Sequence, residues 1–114
     1  MLHFTREEFL ARQRNAIAAM QARNLDGLLI FRQESMYYLT GYDTMGYSQF
    51  QCLYMGADGR LMLLTRSADL RQARLTSTIE DIRVWVDRAD SNPGLDLRSV
   101  LEEIGLGGRH LGVE

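Results

Sequence analysis

Directly after Asp26-Gly27 comes an unbroken apolar run, Leu28-Leu29-Ile30-Phe31. A short apolar segment without polar alternation predicts a strand buried on both faces. Such a strand needs a sheet with helices above and below it. This one run therefore narrows the chain to an α/β architecture.

The flanking segments fit that frame. Thr5 and Glu8 have the spacing of a capping box, with Phe4 and Phe9 at the positions of a hydrophobic staple. They predict a helix over about residues 6–23, ending near Asn24. Its apolar face is Phe9, Leu10, Ala16, Ile17 and Met20, with Gln13 interrupting it. Residues 32–40 read as a short helix stopped by Gly41 in a left-handed conformation. Residues 47–55 read as a strand with Phe50, Cys52 and Tyr54 on one face and Gln49, Gln51, Leu53 and Met55 on the other. Asp58-Gly59 signals a hairpin, and residues 61–65 form the returning strand. Ser67 is expected to cap a helix running to about Leu75. Residues 82–86 alternate as a strand. Ser91-Asn92-Pro93-Gly94 leads into a helix with Leu97, Val100, Leu101 and Ile104 on one face, closed by Gly105, Gly107 and Gly108. Leu111–Val113 starts a last strand. The expected fold is α/β, three-layered, with a mixed sheet flanked by helices. Because Glu114 falls at the edge of an element, residues 1–114 read as one domain at the front of a longer polypeptide.

Charge and composition remove several function classes. Thirteen basic residues, all Arg, face fifteen acidic ones, for a net charge of -2. That balance lacks the basic excess of a nucleic-acid binder. The absence of Lys removes Schiff-base and P-loop chemistry. The uncharged stretch over residues 44–57 is too short and too polar to span a bilayer. With Cys52 as the single cysteine, an internal disulfide is impossible and a reducing cytoplasm is the expected setting. Cys52 itself reads as a buried, inert thiol. His3 and His110 lie at opposite ends of the chain, so no ligand set for a metal is expected. The adjacent carboxylates Glu7-Glu8, Glu80-Asp81 and Glu102-Glu103 do not form acid/base pairs, because neighbours on a helix point about 100° apart. No catalytic residue is expected within the chain.

Tyr37, Tyr38, Tyr42 and Tyr47 crowd around a glycine-bordered loop. Tyrosine combines contact area with a polar tip, so such a loop suits either a core with tethered hydroxyls or a ligand-facing edge. The core reading fits Tyr37 or Tyr38 best. For Tyr42 and Tyr47 both readings stand. Arg66 is a second candidate contact, or else a strand-end charge.

The order of the pieces AAMQARNLDGLLI, ESMYYLTGYDTMGYSQFQCL, DGRLMLLTR, the IEDIRVW strand and IGLGGRHLGVE resembles the N-terminal domain of the creatinase, prolidase and aminopeptidase P superfamily. The resemblance covers about residues 6–114. It implies a ribonuclease-H-like α/β domain that precedes a catalytic pita-bread domain. In the metallopeptidase branch that second domain holds two divalent metal ions. The resemblance further implies a homodimer in which this domain lends residues to the neighbouring subunit's substrate pocket. In creatinase a Phe and an Arg just after the corresponding block approach the substrate. A gap-free match from Gly41 puts Tyr47 and Gln49 at those positions. Gln49 lacks the guanidinium fork that binds a carboxylate in two places, which argues against creatine. The implied substrate-contact candidates are thus Tyr42, Tyr47, Gln49 and Arg66. The implied parent is a Xaa-Pro dipeptidase- or aminopeptidase-like hydrolase acting on a peptide or small molecule. Alternatives are a creatinase-, ectoine-hydrolase- or sulfonium-lyase-like enzyme, a freestanding interaction module of the same fold, or an independent ligand binder using the Tyr42–Tyr47 loop.

Overall fold

The structure is a computed structural model that describes residues 4–43 and 50–114. Helix α1 is Arg6–Ala22, strand β1 is Gly27–Ile30, and helix α2 is Gln33–Thr40. Strands β2, Cys52–Gly56, and β3, Leu61–Arg66, follow. A 3-10 turn over Ser67–Asp69 leads into helix α3, Leu70–Thr76. Strand β4 is Asp81–Trp85, helix α4 is Pro93–Glu103, and strand β5 is Leu111–Val113.

The helix ends are set by local chemistry. Thr5 accepts the Glu8 N–H at 3.2 Å, and the rings of Phe4 and Phe9 meet edge-on with centroids 6.0 Å apart. At the other end Asn24 takes a left-handed φ of 57°. Leu25 N–H then reaches Met20 O at 3.0 Å and Asn24 N–H reaches Gln21 O at 3.1 Å, a full Schellman closure. Gly41 ends α2 at φ 83°. Asn92 caps α4 with Pro93 at its start, and Gly105 turns out of it at φ 81°.

The strands form one mixed sheet in the order β4-β3-β2-β1-β5. β2 runs antiparallel to both β1 and β3, while β5 is parallel to β1 and β4 is parallel to β3. Four strands therefore point the same way and β2 alone is reversed. Helices α1, α2 and α3 cover one face, where Met20, Met36, Leu39, Leu53, Met55, Leu63 and Ala73 pack together. Helix α4 covers the other, against Cys52, Tyr54, Met62, Leu64, Trp85 and Leu97. The expected three layers and both-face burial of the central strands are present.

Several local expectations are corrected. Gln13 does lie on the buried face of α1, interrupting the apolar stripe without leaving it: it is 8% exposed and its Nε2 donates to Leu39 O at 2.8 Å. Leu10 instead points outward, at 50% exposure. Ser67 makes no cap; it begins the 3-10 turn, and α3 starts at Leu70. The strand expected over 47–55 begins at Cys52, and the first part of that expectation lies outside the described residues.

Candidate functional site

Because β1, β3, β4 and β5 are co-directional, their carboxyl ends lie along one edge of the sheet, and β2 starts there. In open α/β sheets that edge is where ligands bind. Each of the four strand ends carries charge: Arg66 closes β3, Arg32 follows β1, Asp87 follows β4, and Glu114 follows β5.

Phe50, just before β2, is fixed at this edge. Its carbonyl accepts the Trp85 indole N–H at 3.0 Å, and its ring stands edge-on to Phe31 with centroids 6.0 Å apart. The other side of the tyrosine-rich loop is equally anchored. Tyr42 has 0% exposure, and its hydroxyl meets Thr65 Oγ1 at 3.0 Å. The Tyr42 carbonyl accepts Gln33 Nε2 at 2.8 Å, and its N–H donates to Thr40 Oγ1 at 3.2 Å. Asp43 N–H donates to Thr76 Oγ1 at 2.9 Å. Residues 44–49 thus join two tethered points. Tyr47 and Gln49, the two candidates from the family resemblance, lie outside the described residues.

Tyr42 is therefore placed as a core tyrosine, with no side-chain surface to offer a ligand in this domain. Among the described tyrosines Tyr38 is the most exposed, at 54%, with the Arg12 guanidinium 4.4 Å above its ring. Arg12 also lies 4.6 Å from the Phe4 ring centroid and donates to Tyr38 O at 2.9 Å, which ties α1 to α2.

Arg66 stands at the carboxyl edge as expected, but between two carboxylates. Its guanidinium lies 3.4 Å from Asp69 Oδ2 and 3.9 Å from Asp87 Oδ2, and its side chain is 26% exposed. It links the start of the 3-10 turn to the segment after β4. Beyond β1, Arg32 pairs with Glu34 at 3.1 Å, and its N–H donates to Glu114 Oε1 at 3.3 Å. The other Glu114 oxygen accepts the Ser35 hydroxyl. These contacts border a hollow of about 410 Å³ that also touches Ile30 and Leu39. Sequence reasoning missed this Arg32–Ser35–Glu114 group. Glu114 lies 82 positions from Arg32 and 79 from Ser35, and the parallel pairing of β5 with β1 brings it to them.

Cys52 is buried on the α4 face, and burial pushes its thiol up to about 12, against a hydrogen bond with the Ile30 backbone that lowers it. At neutral pH it is protonated and a poor nucleophile. Among the described residues no group of three or more His, Cys, Asp or Glu side chains could hold a metal ion. Among them, too, no helix is long and apolar enough to cross a membrane.

The creatinase/prolidase N-terminal domain model matches residues 12–114. The chain belongs to the creatinase/prolidase N-terminal domain family. This domain is 33% identical over 85 residues to an uncharacterised hydrolase/peptidase of Sinorhizobium fredii, covering 74% of the chain and 22% of that protein. It is 31% identical over 96 residues to the ectoine hydrolase of Halomonas elongata, covering 82% of the chain and 24% of that protein. Among solved structures, a dipeptidase from Pyrococcus horikoshii OT3 superposes with a TM-score of 0.73 at 27% identity, over 90% of the chain and 28% of that protein. The chain thus spans less than a third of the length of each of these relatives. The mixed five-stranded sheet with its helices is the architecture of the family's N-terminal domain.

Proposed function

We propose that this domain is the non-catalytic N-terminal lobe of a hydrolase of the Xaa-Pro dipeptidase type. It contributes to a homodimer and presents residues 44–49 to the neighbouring subunit's substrate pocket. The observation that carries this reading is the double tether of that segment, at Tyr42 and at Phe50, beside the carboxyl edge of the sheet. Fixing Tyr42 and Phe50 lowers the entropy cost of bringing the chain between them to a partner surface. Arg66 serves this edge as an ion-paired strut rather than as a ligand's first contact.

Bond cleavage belongs to a following pita-bread domain. The two divalent metal ions that the family implies find no fitting ligand set among the described residues, and we assign them to that following domain. The Cys52 thiol, buried and without a second cysteine to bridge, suits a cytoplasmic location. Similarity to an ectoine hydrolase supports a second reading, in which the parent cleaves a C–N bond of a small cyclic compound rather than a peptide.

The deciding experiment expresses the chain with the polypeptide that follows it in its gene, and compares Xaa-Pro dipeptides with ectoine as substrates. Hydrolysis by the longer protein, with none by residues 1–114, is the expected outcome. Turnover by the 114-residue chain itself would overturn the accessory role. A strictly monomeric longer protein in sedimentation would overturn the shared pocket.

A further inference from the structure

A second hollow, of about 420 Å³, opens at the opposite edge of the sheet, between the β2–β3 hairpin and the turn after α4. Its floor is the Tyr54 side chain, which is 2% exposed. Tyr54 is paired with Leu29 across the ladder, but its ring runs along the strand over Gly27 and Gly56, which face each other in register. A Cβ on Gly27 would stand 2.6 Å from Tyr54 Cε1, and one on either glycine would stand 2.9 Å from the hydroxyl. The paired glycines are what let the phenol reach the hollow.

A tyrosine hydroxyl that opens onto a hollow takes its partner from what enters it, water or ligand. This one makes no hydrogen bond among the described residues. Around it stand three charges without ion pairs among those residues. Asp26 Oδ2 accepts the His110 N–H at 2.8 Å, and Asp58 Oδ1 accepts the Arg60 N–H at 3.0 Å, so each keeps one oxygen free of these bonds. The Arg109 guanidinium lines the same hollow, and Ile104 and Leu106 supply an apolar wall. Burial, then the charge of Asp58, holds the Tyr54 hydroxyl in its protonated, donating form.

We infer that this hollow binds a small zwitterion, an α-amino acid with an apolar side chain. Its ammonium sits between Asp26 and Asp58, its carboxylate accepts from Arg109 and Tyr54, and its side chain lies on Ile104 and Leu106. The site is at the far edge of the sheet from Tyr42 and Phe50, so it stands or falls apart from the reading of the parent enzyme.

The test is a nuclear magnetic resonance titration of the chain with L-leucine, leucinamide and 4-methylpentanoate, each up to about 20 mM, a range suited to millimolar affinity. The expected result is saturable shifts at Tyr54, Asp58 and Arg109 with leucine, and at least about tenfold weaker binding of the two singly charged analogues, since each lacks one charge-assisted contact. Tyr54→Phe and the surface change Arg109→Gln should each weaken leucine about fivefold or more. Absence of saturable shifts, or equal binding of the analogues, overturns the proposal. So does unchanged affinity in Arg109→Gln, or in a folded Tyr54→Phe, which would mean that water alone serves the hydroxyl.

Discussion

The hydroxyl of Tyr42 and the Oγ1 of Thr65 stand 3.0 Å apart inside the core, joining the residue after α2 to the end of β3. Both residues are wholly buried. Tyr42→Phe should leave the Thr65 hydroxyl with one partner fewer and cost about 1–2 kcal/mol. Adding Thr65→Val should recover part of that loss, because both polar ends are then gone. Denaturant melts of the two singles and the double measure the coupling. Strictly additive losses would show that the pair does not act as a unit.

Gly27 is constrained by its neighbour rather than by its own backbone. Gly27→Ala should cost about 1–3 kcal/mol, since the new methyl meets the Tyr54 ring and Met55 O, at 3.0 Å. Gly107→Ala, where nothing lies within 4 Å, should stay within about 0.5 kcal/mol of the parent. Thermal melts compare the two; equal effects would refute the packing argument.

The Cys52 thiol gives stability a pH dependence of known sign. Its value is raised in the folded state from an ordinary 9.0 to about 12. The contribution is therefore complete below about pH 9 and is lost as pH rises from there toward 12. The loss approaches at most about 1.4 kcal/mol per pH unit. Between pH 9 and 10 the decline should be visibly flatter in Cys52→Ala. Parallel curves for the two proteins would show that the thiol does not titrate in the unfolding equilibrium.

Tyr47→Ala, made in the longer protein, should lower kcat/KM by about tenfold or more while shifting Tm by no more than about 2 °C. A collapse in melting temperature with intact kinetics would make Tyr47 a packing residue and remove it from the substrate edge.

The parts of the fold legible in the sequence are those governed by neighbours in the chain. The Thr5 cap, the Phe4–Phe9 staple, the Gly41 and Gly105 stops and the Asp58-Gly59 hairpin each depend on residues within a few positions. Errors arose where a distant residue decides the outcome. Spacing puts Leu10 on the apolar face of α1, yet it points outward, while Gln13 on that face finds a buried partner in the Leu39 carbonyl, left without a helical donor near the end of α2. Tyr42, by sequence alone, admits both a core and a ligand-facing reading. Its burial depends on Thr65, which no local pattern reveals. The same holds for the Arg32, Ser35 and Glu114 group. Arg66 was placed at the right edge by its strand, but its two carboxylate partners come from separate segments.

Glu114 has a consequence for mechanics. One carboxylate grips the N–H of Arg32 and the hydroxyl of Ser35, while its own N–H donates to Leu29 O at 3.1 Å. Tension or rotation applied at residue 114 is therefore delivered to the first turn of α2, next to the Gln33 amide that holds Tyr42. The end of β5 and Tyr42 are one lever with a single short arm.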